Sequence, residues 1–66
     1  MLEREKWYST AEVARSLGVH PETVRRWVRE GRLPAQRMFV RRELRIRGGD
    51  VLDRISDLER EKAERE

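Results

Sequence analysis

The chain has no cysteine, a single histidine, two prolines and only four aromatic side chains among its 66 residues. Without cysteine there is no disulfide and no thiolate metal site, and one histidine cannot assemble a metal centre within one chain. No metal and no cofactor are therefore expected. The N-terminal stretch MLEREKWYST lacks an apolar signal core, and no apolar run approaches membrane-spanning length. The expectation is a cytoplasmic protein with no membrane partner. No nucleophile stands beside a candidate base, no loop is rich enough in glycine to cradle a phosphate, and Asp50, Asp53 and Asp57 read as a solvated helix face. Enzyme activity is not expected, and no catalytic residue is assigned. There are no internal repeats, and 66 residues make one domain near the lower size at which a single core holds a fold.

What the chain does have is arginine. Of its sixteen basic residues fourteen are arginine, and the net charge is +3. Residues 1–47 carry twelve basic against six acidic residues, whereas residues 48–66 carry four against seven. The positive charge thus belongs to the body and not to the tail. Arginine forks onto phosphates and guanine edges better than lysine does, which favours nucleic acid as the partner.

Local signals place two short helices close together. Ser9 followed by Glu12 forms a capping box and Tyr8 with Val13 a hydrophobic staple, so a helix is expected from Thr10 to Leu17, burying Ala11, Val13, Ala14 and Leu17. Gly18 closes it. His20 as N-cap, Pro21 at the first helical position and Gly31 as a left-handed closure bracket a second helix. Its Val24, Trp27 and Val28 fall on a packing side, with Glu22, Arg25, Arg26 and Arg29 on the other. So short a connection forces a steep crossing, which describes a helix-turn-helix.

Beyond Gly31, Leu33 can tuck under the pair before Pro34 turns the chain. Alternation predicts strands over about Gln36–Phe39 and Glu43–Ile46, with Met38, Leu44 and Ile46 toward the core and Arg37, Arg45 and Arg47 opposite. Gly48 and Gly49 are read as a chain break. A last helix is expected from about Asp50, with an apolar stripe of Val51, Leu52, Ile55 and Leu58. The expected organisation is a disordered tail over 1–6, a domain over 7–58, and a charged, frayed helical tail over 59–66.

The stretch YSTAEVARSLGVHPETVRRWVREGRLPA resembles the winged helix-turn-helix of the excisionase and MerR-type DNA-binding families, and the resemblance runs from about Trp7 to Leu58. It implies a mainly α fold with two helix-turn-helix helices, a two-stranded wing and a C-terminal helix. It also implies a second helix seated in the major groove. Carried over by position, Thr23, Arg25 and Arg26 match recognition-helix contacts, with Glu22 and Arg29 beside them, and Arg41 and Arg42 lie in the wing. Arg25 or Arg26 is expected to meet base edges, whereas Arg29, Arg32 and the wing arginines, Arg37 and Arg45 among them, are better placed for phosphates, as are the N–H groups near Ser9 and Thr10. His20 stands where serine or threonine is usual, and Phe39 and Val40 replace small residues at the wing tip. Phe39 is open between partial burial and an exposed tip.

Sequence-specific binding of duplex DNA is the function so implied, by an excisionase-like architectural factor or a small transcriptional regulator, nucleoid-associated when bound. The tail stops far short of the long dimerising helix of full MerR regulators, which argues against a ligand sensor. A single module of this size binds weakly, so a homo-oligomer, a cooperative array or a recombinase reached through the C-terminal helix is the expected partner. The alternatives are a viral terminase small subunit-like packaging protein and a protein-interaction module built on the last helix. Deleting residues 59–66 is expected to leave intrinsic DNA contact nearly unchanged.

Overall fold

The computed structural model describes residues 1–38 and 43–65, with the side chains of the last helix as far as Glu61. The elements run β1 (Trp7–Tyr8), α1 (Thr10–Leu17), α2 (Pro21–Arg29), β2 (Gln36–Arg37), β3 (Leu44–Arg47) and α3 (Gly48–Arg65). The three strands form an antiparallel sheet ordered β1-β3-β2, against which α1 and α3 pack while α2 packs on α1. The wing tip, with the expected contacts Phe39, Arg41 and Arg42, lies outside the described residues.

The two helix-turn-helix helices form for local reasons. Ser9 Oγ accepts from the Glu12 N–H at 3.1 Å while the Glu12 carboxylate accepts from the Ser9 N–H at 2.9 Å, which satisfies two otherwise orphaned donors. Gly18 closes α1 at φ +71°, a left-handed conformation that costs glycine nothing. His20 replaces the usual hydroxyl cap with Nδ1, which accepts from the Glu22 N–H at 3.0 Å. Past Glu30 the chain turns at Gly31, φ +77°, and the Arg32 N–H reaches back to the Trp27 carbonyl at 2.8 Å. Leu33 follows into the core.

Val13, Ala14 and Leu17 of α1 meet Val24 and Trp27 of α2, and Ile46 with Val51 and Leu58 close the core from below. Ala11, expected to be buried, is exposed at the start of α1.

The sheet departs from the alternation reading. Trp7 and Tyr8, outside both expected strands, pair with Arg47 and Ile46 as a third strand, and two residues are too short a run to show periodicity. Arg37 pairs directly with Leu44, and Gln36 with Arg45. Because paired residues share a face, this register carries Arg37 to the helix side and Met38 to the outside. Met38 is accordingly 42 % exposed, in a shallow cleft with Trp7, Gln36 and Arg45.

The first six residues are not a loose tail. Leu2 enters the core, the Tyr8 hydroxyl accepts from the Glu3 N–H at 2.7 Å, and Arg4 pairs with Asp53 at 2.7 Å. The Lys6 and Arg4 carbonyls accept from the N–H groups of Gly48 and Gly49 at 2.8 and 3.0 Å. These carbonyls take two of the unpaired donors that begin every helix. The glycine pair therefore opens α3 instead of breaking the chain. A Cβ on Gly48 would lie 2.0 Å from the Glu3 carbonyl oxygen, so the close approach requires glycine there.

Candidate nucleic-acid interface

Between α2 and the wing runs a groove of about 560 Å³, floored by Ser9, Thr10 and Ala11 at the start of α1. Arg25, Val28 and Arg29 of α2 form one wall, and Arg37, Glu43 and Leu44 form the other. Three guanidinium groups thus converge on it from two elements. Arg25 and Arg29 sit four residues apart and share one helix face, whereas Arg37 arrives through the strand register described above.

Both groove arginines of α2 are held by one carboxylate. Glu22 Oε1 accepts from Arg25 Nε at 2.9 Å, and Oε2 accepts from an Arg29 Nη at 2.9 Å. Hydrogen bonds from Arg25 and then Arg29 keep the Glu22 carboxyl below its ordinary value of 4.5.

The remaining expected contacts are distributed elsewhere. Arg26 is drawn back toward α3, where it meets Glu61 at 3.3 Å and Glu30 at 3.9 Å. Its Nε is buried with no hydrogen-bond partner among the described residues. Arg32 is tied to Glu30 at 3.3 Å and Glu61 at 3.5 Å. Thr23 is half-buried and does not line the groove, and Arg45 lines the cleft on the outer sheet face. The structure therefore brings Ser9, Thr10, Arg25, Arg29 and Arg37 together and separates them from Arg26, Arg32 and Arg45.

One residue that organises this surface was missed in the sequence. Glu61, 8 % exposed, accepts a hydrogen bond from the indole Nε1 of Trp27 and receives Arg26 and Arg32. It fixes the back of α2 against α3, and so decides which α2 side chains remain for the groove. Two signals pointed to it: a buried tryptophan needs an acceptor, and position 61 continues the spacing of Ile55 and Leu58 along the helix. Losing residues 59–66 would remove this buried group, so the expectation of a dispensable tail does not fit the packing.

Among the described residues no cluster of acidic, histidine or cysteine side chains is arranged to hold a metal ion. No described helix is long and apolar enough to cross a membrane.

Two tightly joined helices, a third helix behind them and an antiparallel hairpin beside them define the class: a winged helix-turn-helix domain. Residues 7–58 match the helix-turn-helix domain family, and the chain belongs to it. No curated protein and no solved structure matches the chain.

Proposed function

We propose that the chain binds duplex DNA sequence-specifically, with α2 in the major groove and the β2–β3 hairpin as a wing along the backbone. The observation that carries this reading is the groove itself, in which Arg25 and Arg29 face Arg37 across a gap bounded by the start of α1. Helix-turn-helix modules present their second helix to base edges, and a bidentate arginine on guanine O6 and N7 discriminates by about 1–3 kcal/mol. Arg25 and Arg29 take that part. Arg37 and the N–H groups at the start of α1 suit phosphates, which orient the protein without reading sequence. Arg41 and Arg42 add positive charge to the wing in sequence.

In this reading Arg26 and Arg32 hold α2 in place through Glu61 and are not base contacts. An excisionase-like architectural role or a compact regulatory role suits so small a module, since both obtain affinity from neighbours on the DNA.

The test is a fluorescence-anisotropy titration against duplexes selected from a randomised library, at low and physiological salt. Arg25→Ala with Arg29→Ala is expected to weaken binding to the selected duplex at least tenfold, with a shallower salt dependence. Arg26→Ala is expected to act mainly on stability. Unchanged binding by the Arg25/Arg29 variant would remove α2 as the recognition helix.

A further inference from the structure

Among the described residues, Glu22 is the carboxylate bonded to both α2 arginines of the groove. A negative charge there opposes approach to phosphates, yet each of its oxygens serves a different arginine. Glu22 itself does not line the groove, whereas Arg25 and Arg29 do. The acid sits in the first turn of α2 on the same helix face as the arginines it holds, with its side chain 54 % exposed.

We propose that Glu22 is a specificity-determining residue, a carboxylate that fixes Arg25 and Arg29 in the orientation from which they read base edges. The inference rests on α2 being the recognition helix. The donor atom at Arg25 matters most. Glu22 engages its Nε at 2.9 Å, so Nη1 and Nη2, the two ends of the fork, take no part in that bond. That pair spans the O6 and N7 acceptors of guanine. An unbraced arginine on an exposed helix turn samples many rotamers and bonds whichever phosphate it meets. With the brace, the same side chain loses that freedom before DNA arrives and prefers the one base geometry it already matches.

Charge makes the same residue act against non-specific binding. Phosphates attract the arginines wherever the protein lands, and Glu22 offsets part of that attraction at every site alike. Only a site offering guanine edges to the braced forks recovers the difference. Glu22 thus lowers general affinity and raises discrimination, two effects of opposite sign that a helix-capping or dipole role would not produce.

The experiment compares wild-type protein, Glu22→Ala, Glu22→Gln, Arg25→Ala and the Glu22→Ala/Arg25→Ala double variant. Each is titrated by anisotropy with the duplex selected by wild type and with the unselected library pool, and each is melted by circular dichroism. Glu22→Ala is expected to bind the pool about threefold more tightly, yet to lose about tenfold in the ratio of selected to pool affinity. Once Arg25 is alanine, removing Glu22 should cost little further discrimination, because the brace then has less to hold. Glu22→Gln, which keeps an acceptor oxygen without the charge, is expected to retain more of the ratio than alanine does. A selected-to-pool ratio unchanged in Glu22→Ala, while Arg25→Ala loses it, overturns the brace and leaves α2 as the reading helix. Relaxed discrimination confined to a cytosine position would also overturn it, since that would make Glu22 a direct base contact. If wild type selects no consensus from the library, the recognition-helix reading fails first, and with it this inference.

Discussion

At Glu61 a carboxylate in the third helix meets the indole N–H of Trp27 and the guanidinium groups of Arg26 and Arg32. All four side chains lie on the side of α2 away from the groove, so this cluster rigidly sets the rotation of α2 about its axis. Taking Glu61 away leaves the buried indole N–H of Trp27 without its acceptor, a cost set by desolvation and not by the pair's net value. Glu61→Ala is expected to destabilise the fold by about 1–3 kcal/mol in urea unfolding, less than a fully enclosed pair because Arg32 is half exposed. Glu61→Gln keeps an acceptor for the indole and should fall between. A loss that vanishes in the Trp27→Phe background would confirm that the indole is the partner that matters; an equal loss there would assign the effect to the arginines.

At the scale of elements, the N-terminal segment and α3 depend on each other. The Lys6 and Arg4 carbonyls complete the first turn of α3, Leu2 covers part of the core, and Arg4 reaches Asp53 one turn further along. All of this passes over Gly48, where a Cβ would meet the Glu3 carbonyl at 2.0 Å. Backbone is the neighbour here, so no side-chain adjustment relieves the overlap. Gly48→Ala is expected to displace residues 2–6 and lower stability by about 1–3 kcal/mol, the range for forced overpacking. Hydrogen exchange should show the Gly49 amide losing protection while the amides of α1 keep theirs. Retained protection at Gly49 would mean the segment had shifted without letting go.

Across the described residues, the carboxyls with lowered values make stability respond to acid with one sign. The Lys6 ammonium lowers the Glu3 carboxyl, the Ser9 backbone N–H lowers Glu12, Arg25 and Arg29 lower Glu22, and Arg4 lowers Asp53. A carboxyl whose folded value lies below its unfolded value contributes fully above the unfolded value. It loses that contribution as pH falls through the folded one. The melting temperature is therefore expected to hold from pH 7 to about pH 5 and to fall below about pH 4. Raising salt should shrink the acid-sensitive part contributed by the surface pairs, because those charges are exposed and screened. A melting temperature that declined already between pH 7 and pH 6 would point to a different titrating group. Comparing Asp53→Asn with Glu12→Gln would separate the contribution of the N-terminal segment from that of the α1 cap.

Much of the helix-turn-helix was written in the chain at short range. Ser9 and Glu12, Gly18, Pro21 and Gly31 act within a few residues of themselves, so their spacing determined where α1 and α2 begin and end, and apolar positions three and four residues apart determined which of their faces pack. The arginine bias likewise favoured nucleic acid as the partner. Only the tertiary structure decided which arginines face outward. Arg25, Arg26 and Arg29 are chemically the same on one short helix, and it is Glu61, 35 residues beyond Arg26, that takes Arg26 away and leaves the other two to Glu22 and the groove. The third strand, the inward Arg37 and the packed N-terminus were hidden for the same reason. Each depends on a partner far along the chain, and distance in sequence leaves no periodic mark where the two surfaces will meet.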